Sequence, residues 1–294
     1  MKHPIIILGT GRCGSTLLQR ILNTSEEITI WGEHSGFLNS LSKSYYQLTE
    51  DKAINKNFYS REPSINPEIA ISSLSNYSID ISWLNSFNRD IIKRSYMNLI
   101  ISLLCCKIDT EKVNWGFKEI RYTQNDLALQ MWLEIFPDTQ IIFSIRNPFD
   151  VIKSMILAWV KPARIEQIFE NPESPVAVKT LIHYANRWNE TARSFQYWLT
   201  EKENWCCCAD RYEDLIKSPE QEIEKLFNFL AIPMPDNAIK PMFAKTGKSP
   251  NRTHGHEHQV CNAIYFARQE IWELLKEPAE YFEYSFSSSD SFKK

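Results

Sequence analysis

The stretch from residue 5 to residue 22, IIILGTGRCGSTLLQRIL, constrains the fold of this chain more than any other. Four apolar residues that favour β-structure lead into a turn with glycines at positions 9, 11 and 14, and the leucines and isoleucines that follow recur at helical spacing. The pattern predicts a strand, a glycine loop and a helix. Such a loop can hold phosphate, because its backbone N–H groups and the helix N-terminus direct positive charge at an anion.

This loop departs from the common nucleotide-binding loop at one position. The spacing from Gly9 to Gly14 and on to Thr16 follows G-x-x-x-x-G-K-[ST], but Ser15 stands where lysine is expected. Arg12, inside the loop, supplies a cation from a different position. Phosphate binding therefore remains possible through backbone amides and arginine.

Strand patterns and helix patterns alternate along the rest of the chain. Further strands are predicted at 28–31, 113–120 and 139–146 and within NWCCCADRYEDL. Their alternation with helices predicts an α/β fold with a P-loop-like parallel sheet of about five strands, flanked by helices on both faces. Residues 35–110 carry no strong strand signal and are predicted to form a helical insertion after the second strand. We expect this insertion on the side of the binding site where a second substrate, the acceptor, would lie. We predict a single domain over residues 1–294, with a loose tail at 285–294.

Composition excludes several classes of function. The net charge of −3 gives no general attraction to nucleic acid, and the apolar runs are well short of the roughly 20 residues that a membrane span needs. No signal peptide is recognisable, so we predict a cytoplasmic protein with no transmembrane segment. The seven cysteines have no metal-site or disulfide spacing and are interpreted as reduced core thiols, with a redox or metal role as the alternative.

One histidine cluster, HGHEH, contains His254, His256 and His258. A surface loop is the favoured interpretation and a metal site is the alternative, because no nearby residue completes a second shell. We predict no bound metal.

Charged residues follow four of the predicted strands at the point where each strand ends. In open α/β sheets ligands bind beyond the carboxyl ends of the strands, so these side chains are expected to line one cleft. A solvated loop charge is the alternative for each residue taken singly. The residues concerned are Arg12, Glu33, Lys118, Glu119 and Arg146.

The fourth strand also lacks an expected acid. The sequence IIFSIRNP places Arg146 where an ATP-hydrolysing enzyme commonly has a Mg²⁺-binding aspartate. The loss of both this acid and the loop lysine argues against ATP hydrolysis. The site is predicted to hold phosphates with arginine, serine and backbone amides alone.

Four segments carry a family resemblance. GTGRCGSTLLQRIL resembles the 5′-phosphosulfate loop of sulfotransferases that use 3′-phosphoadenosine 5′-phosphosulfate (PAPS), and IRNPFDVIKSM resembles their 3′-phosphate element. RYEDLIKSPEQEIEKLFNFLAIP is similar to their C-terminal strand–helix block, and FAKTGKSPNR is similar to the basic loop that closes over the cofactor. The resemblance runs from residue 5 to about residue 252 and matches 35–110 poorly.

The resemblance implies a role for individual residues in binding PAPS. The 5′-phosphosulfate would be bound by five consecutive residues, Arg12, Cys13, Gly14, Ser15 and Thr16. The 3′-phosphate would be bound by Arg146 and Ser154 and covered by Lys245, Gly247 and Lys248. Tyr212 would contact the adenosine part.

The segment WGEHSGF resembles the tyrosylprotein and heparan branches of this family, in which a glutamate ends the second strand. The resemblance implies that Glu33 is the base and that Lys118, in GFKEIRY, lies beside the acceptor, while Arg12 serves catalysis as well as binding. His34 and Glu119 are the alternative bases. The implied reaction is in-line transfer of a sulfuryl group from PAPS to a hydroxyl of a sugar, phenol, lipid or peptide, without a metal. The alternatives are a P-loop kinase-like phosphotransferase and a non-catalytic module that binds nucleotides or anions.

Overall fold

The computed structural model describes residues 2–50, 58–60, 81–84, 89–111, 113–201, 206–244, 254–287 and 292. The strands are, in chain order, β1 Pro4–Gly9, β2 Ile28–Trp31, β3 Phe58–Ser60, β4 Ile81–Leu84, β5 Asn114–Glu119, β6 Gln140–Ile145 and β7 Cys207–Arg211.

The helices lie between these strands and after the last of them. In chain order they are α1 Ser15–Leu22, α2 Leu38–Glu50, α3 Arg89–Leu104, α4 Leu127–Ile135, α5 Pro148–Trp159, α6 Pro162–Phe169, α7 Pro175–Glu201, α8 Tyr212–Lys217, α9 Pro219–Phe229, α10 Lys240–Phe243, α11 Glu257–Phe266 and α12 Arg268–Tyr281. No helix among the described residues is long and apolar enough to cross a membrane.

The chain divides into two compact units. The first contains Met1–His34, Ile108–Asn125 and Asp138–Lys294, and the second contains Ser35–Lys107 and Asp126–Pro137.

The first unit contains the parallel sheet, in the order β2-β5-β1-β6-β7. The predicted α/β fold, a parallel sheet of five strands flanked by helices, is confirmed. β1 lies at the centre because it is apolar on both faces: Ile5, Ile6 and Ile7 are wholly buried, as expected for a strand with helices above and below it.

Helices cover each face of this sheet. Ile5 and Ile7 pack in one cluster with residues of α1 and α9, including Leu18 and Phe227. On the other face, Phe143 of β6 stacks on Phe195 of α7 with ring centroids 4.5 Å apart. Successive strand residues point to opposite faces, so both layers follow from the alternation along the strands.

The register of the sheet aligns the carboxyl ends of its strands. Leu8 pairs with Glu119 of β5, and Gly9 pairs with Ser144 of β6. Trp31 of β2 pairs with Phe117. The residues that follow these strands therefore share one edge of the sheet, which is where the sequence predicts the cleft.

The second unit contains α2, α3 and α4 with a short antiparallel pair, β3 and β4. Residues 35–110 are predicted to form a helical insertion, and α2 and α3 lie within this range, but the strand pair was not expected. Its segments, FYS and ISWL, are short and carry the aromatic and β-branched residues that favour strands. Two runs of three and four residues are too short to show a clear period of two.

The C-terminal segment contains one well-packed residue. Phe292 is buried, with its ring centroid 6.2 Å from that of Phe149 at the start of α5. Nζ of Lys153 lies 5.1 Å from the Phe292 ring centroid. In the segment 285–294, which the sequence predicts to be loose, Phe292 is held by the burial of its aromatic side chain, and the Phe286 ring centroid lies 6.1 Å from that of Trp272.

Candidate active site

The glycine loop after β1 turns through the left-handed region of backbone conformation. Gly11 has φ 74°, Arg12 has φ 57° and Gly14 has φ 99°. An arginine in this region is uncommon and is maintained by its surroundings. Nε of Arg12 donates a hydrogen bond of 3.1 Å to Oγ of Ser154, on α5. The structure therefore brings together two residues that are 142 positions apart in the sequence.

Tyr212 packs directly on the loop at Gly14. A Cβ at this glycine would lie only 2.4 Å from Cδ2 of Tyr212. The other side of the loop is also tight, because a Cβ at Gly11 would lie 3.1 Å from the Trp159 ring. Glycine is thus required here by both the backbone conformation and the lack of space.

Arg146 packs against the Tyr212 ring. Its Cζ atom lies 4.5 Å from the centroid of the Tyr212 ring, a cation–π contact. Nη2 of Arg146 is 3.8 Å from Oδ2 of Asp150. Within the described part of the chain, its Nε is buried without a hydrogen-bond acceptor, so the guanidinium has a donor left for a ligand.

The backbone around Arg146 is fixed from two directions. Nε1 of Trp188, on α7, donates to the carbonyl of Arg146 at 3.0 Å. The amide of Asn147 donates to Oε1 of Glu213 at 2.9 Å, and Oε2 of Glu213 accepts from the Tyr284 hydroxyl at 2.9 Å. Burial and the nearby Glu213 charge raise the pKa of Tyr284, which therefore stays a hydroxyl donor.

Glu33 and Lys118 form an ion pair at the ends of β2 and β5. Nζ of Lys118 lies 2.5 Å from Oε1 of Glu33, and Nη1 of Arg121 lies 3.2 Å from Oε2. The Lys118 side chain is 5% exposed, whereas that of Glu33 is 32% exposed. The buried ammonium group is thus paired, and the carboxylate remains accessible from solvent.

Glu119 and His34 lie behind this pair. Glu119 is wholly buried; it accepts from Nη1 of Arg121 at 2.5 Å and from the amide of Ile120 at 2.9 Å. Nδ1 of His34 lies 3.5 Å from Oε2 of Glu119. Burial lowers the pKa of His34, although Glu119 opposes this shift. Neither residue lines the cavity described next, whereas Glu33 does.

A cavity of about 1030 Å³ opens at the carboxyl ends of the strands. The predicted site residues that line it are Arg12, Gly14, Ser15, Thr16, Glu33, Lys118, Arg146, Ser154 and Tyr212.

Cys13 is the exception among the predicted loop residues. Its side chain is buried, with Sγ 2.6 Å from where a Cβ of Gly9 would lie, so it packs under the loop and leaves only its backbone for a ligand. Lys245, Gly247 and Lys248 lie outside the residues that the structure describes.

Several cavity residues were missed by the sequence analysis. Arg121 follows β5, and α5 and α7 contribute a further wall. His183 and Arg187 are one helical turn apart on α7, so both can face the cavity. In the sequence they are indistinguishable from solvent-facing polar residues of an amphipathic helix. The missed residues are Arg121, Trp159, His183, Tyr184 and Arg187.

Two residues of the histidine cluster, His256 and His258, are not among the described residues that line the cavity. Nδ1 of His256 is 3.0 Å from Oε1 of Gln259, and Nδ1 of His258 is 3.2 Å from Nδ2 of Asn262. Among the residues that the structure describes, no three histidine, cysteine, aspartate or glutamate side chains are grouped so that they could hold a metal ion.

A parallel sheet with a glycine loop after its central strand and a cavity at the carboxyl ends of the strands is the architecture of the P-loop-like α/β proteins. The model of the sulfotransferase family matches residues 4–236, and the chain belongs to this family. Family membership supports sulfuryl transfer as its activity. No curated protein matches the chain by sequence.

Several solved structures share the fold. The sulfotransferase domain from the curacin biosynthetic pathway is 17% identical, with a TM-score of 0.55 over 97% of this chain and 99% of that chain. The sulfotransferase domain of the Synechococcus PCC 7002 olefin synthase is 16% identical, with a TM-score of 0.54 over 97% of each chain. A sulfotransferase from Alicyclobacillus acidocaldarius is 15% identical, with a TM-score of 0.50 over 99% of each chain. These similarities establish the fold alone.

Proposed function

We propose that this protein transfers the sulfuryl group of PAPS to an acceptor hydroxyl and that Glu33 is the base. The observation that carries this proposal is the Glu33–Lys118 pair, which lines the same cavity as the phosphate loop. A module that only binds an anion would have no use for an accessible carboxylate beside its phosphate site. The arrangement follows the pattern of the tyrosylprotein and heparan branches, in which a glutamate ends the second strand.

The residues around the loop fit the cofactor. Arg146 has a buried Nε donor without an acceptor among the described residues, and its guanidinium lies over the Tyr212 ring. Charge-assisted hydrogen bonds from arginine suit a phosphate. We assign Arg146 to the 3′-phosphate and Tyr212 to the adenosine part.

The loop residues would hold the other end of the cofactor. Arg12, Ser15, Thr16 and the backbone from Cys13 to Gly14 are assigned to the 5′-phosphosulfate. The family resemblance assigns Ser154 to the 3′-phosphate. The Ser154 hydroxyl accepts a hydrogen bond from Nε of Arg12. Ser154 can therefore orient Arg12, which is assigned to the 5′-phosphosulfate, and can also contact the 3′-phosphate. Lys245, Gly247 and Lys248 remain assigned to the cover of the 3′-phosphate.

When bound, PAPS would supply an activated sulfuryl group: in-line attack of the acceptor oxygen on sulfur would form the new O–S bond as the bond from sulfur to the 5′-phosphate oxygen breaks. Glu33 takes the proton of the acceptor hydroxyl, since its carboxylate lines the cavity and its side chain is 32% exposed. Arg12 and the loop amides stabilise the negative charge that develops on the departing phosphate.

Lys118 has two functions in this proposal. Its ammonium group holds one oxygen of Glu33 in position, and it provides positive charge for the oxygens of the transferred group. Arg121 holds the second oxygen and also contacts buried Glu119. The base is therefore oriented by two cations before an acceptor enters.

The test compares two nucleotides by calorimetry. PAP, the 3′-phosphorylated product of PAPS, should bind at least about 10-fold more tightly than AMP, because a hydrogen bond to a charged group contributes about 1.5–3 kcal/mol. Arg146→Gln should reduce this preference, whereas Arg164→Gln, on α6, should leave it unchanged. ³⁵S-labelled PAPS with a mixed acceptor library should then give labelled product without added metal. Equal affinity for PAP and AMP, or Mg²⁺-dependent turnover of ATP, would contradict the proposal.

A further inference from the structure

The wall formed by α5 and α7 combines aromatic surface with one cation. Cζ of Arg187 lies 5.1 Å from the centroid of the Trp159 ring, and the Trp159 and Tyr184 ring centroids are 6.2 Å apart. All three side chains line the cavity. Trp159 is 41% exposed, so part of its ring is available to a ligand in the cavity. We call Trp159, Tyr184 and Arg187 the aromatic wall.

The aromatic wall lies on the β5 side of the phosphate loop. The Trp159 ring and Cδ1 of Ile120 approach the same point of the loop, 3.1 Å and 3.5 Å from where a Cβ of Gly11 would lie. Ile120 follows β5 directly, two residues after Lys118. Arg146 and Tyr212, by contrast, follow β6 and β7, on the other side of β1. The wall is therefore on the side of Glu33 and Lys118, where the acceptor would enter.

Arg187 differs from the other cations of the cavity. Lys118 and Arg121 are paired with Glu33, and Arg12 is bonded to Ser154. Arg146 contacts Asp150 and has a phosphate as its assigned ligand. Arg187 takes part in no ion pair with any residue that the structure describes, and its guanidinium is oriented by the Trp159 ring. An oriented and unneutralised guanidinium on the wall of a cavity suits an anionic group.

We propose that the acceptor is an amphiphilic hydroxyl compound that carries an anionic group, a carboxylate or a phosphate monoester. Arg187 binds that anion, and the apolar body of the acceptor lies against Trp159 and Tyr184. This assignment rests on the proposed sulfuryl transfer, because it places the acceptor hydroxyl at Glu33. It narrows the acceptor from any hydroxyl compound to a hydroxylated acid.

The test uses matched compounds that differ only in charge. Hydroxydodecanoate and hydroxyphenylacetate are compared with their neutral amides, and hydroxydodecyl phosphate distinguishes a phosphate from a carboxylate. Binding to the protein with saturating PAP is measured by calorimetry, and transfer is measured with ³⁵S-labelled PAPS. The proteins are the wild type, Arg187→Gln, Arg187→Lys and the control Lys179→Gln, which removes one positive charge from an exposed position of α7 that does not line the cavity.

The wild type should bind at least one of the acids about 10- to 100-fold more tightly than its amide, the range expected for a charge-assisted hydrogen bond. Arg187→Gln should remove this preference and raise the KM for the acid by a similar factor, with amide binding and PAP affinity unchanged. Arg187→Lys should keep part of the preference for the acid over its amide, and Lys179→Gln should keep all of this preference.

Three results would overturn the assignment: an amide bound as well as its acid, no binding of any acid, or an equal loss of PAP affinity in Arg187→Gln. The last result would assign Arg187 to the cofactor. If the acids bind through Arg187 but no labelled product forms, the anion site stands and the proposed sulfuryl transfer fails.

Discussion

Lys118 and Glu33 are 85 residues apart in the sequence, yet Nζ and Oε1 of their side chains lie within 2.5 Å of each other. The parallel pairing of β2 with β5 produces this contact, since Trp31 is in register with Phe117 and the next residues of both strands emerge at one edge. Arg121 holds the second carboxylate oxygen of Glu33. A single pair of strands thus brings together the proposed base and the lysine that pairs with it.

Glu33→Gln should separate cofactor binding from turnover. The amide keeps the shape of the side chain but cannot take a proton, so sulfuryl transfer should fall by roughly 10²- to 10⁴-fold, while the affinity for PAP stays close to that of the wild type. Single-turnover transfer and calorimetry measure the two quantities. Glu26→Gln, an exposed acid before β2, is the control and should change neither. Near-normal turnover of Glu33→Gln would move the base to another residue.

Gly14→Ala should disrupt the proposed nucleotide site, because Tyr212 packs directly on the loop at Gly14. The backbone is left-handed here, which costs a residue with a Cβ roughly 1–2 kcal/mol, and the new methyl would meet the Tyr212 ring at 2.4 Å. Both the free energy of unfolding and the affinity for PAP should decrease. Gly255→Ala is a matched control, because no residue that the structure describes lies within 4 Å of its added Cβ. If the two variants bind PAP equally well, the loop does not need glycine at position 14.

Two strands of the central sheet, β1 and β6, could be predicted because each contains an apolar run and is followed by a polar residue. Ile5 to Leu8 form such a run, and the charged residues after the strands mark the edge where the cavity lies. Glu33 and Lys118 were predicted to lie near one acceptor, and they are in direct contact. These features depend on local patterns and on the general geometry of parallel sheets.

The aromatic wall and the network behind Glu33 could not be predicted in the same way. His183 and Arg187 look like solvated residues of α7 until the helix is placed over the strand ends. The sequence suggests His34 and Glu119 as alternative bases, but their burial and mutual contact depend on the packing of Phe117 and Arg121 around them. Tertiary packing decides such features, and no local pattern encodes them.

Glu213 should act as a positioning residue for Arg146. Its carboxylate joins the Asn147 amide to the Tyr284 hydroxyl, so Glu213→Ala should free the segment that carries Arg146 and weaken PAP binding by about 10-fold, with little effect on AMP. Glu213→Gln keeps an oxygen acceptor for Asn147 and should preserve most of the affinity. A uniform loss of affinity for both nucleotides, measured by calorimetry, would instead indicate general destabilisation.

Asp210 is a buried carboxylic acid on β7 and lies outside the candidate site. It is in register with Ser144 of the neighbouring strand and is 5% exposed. Burial raises its pKa to about 7, and the negative charges of Glu222, Asp214 and Glu213 add to the shift. The folded protein therefore favours the protonated acid, whereas the unfolded chain ionises with an ordinary pKa of about 3.9.

This difference makes the free energy of unfolding depend on pH. The contribution of Asp210 is fully present below about pH 4 and is lost as pH rises through about 7, at up to about 1.4 kcal/mol per pH unit. Asp210→Asn cannot ionise, so it should be more stable than the wild type at pH 8 and show a flatter profile between pH 4 and pH 7. Urea denaturation at pH 5 and pH 8 measures this, with Asp236→Asn, an exposed acid, as the control. A variant whose stability falls with pH as steeply as the wild type would show that Asp210 is already ionised in the folded protein.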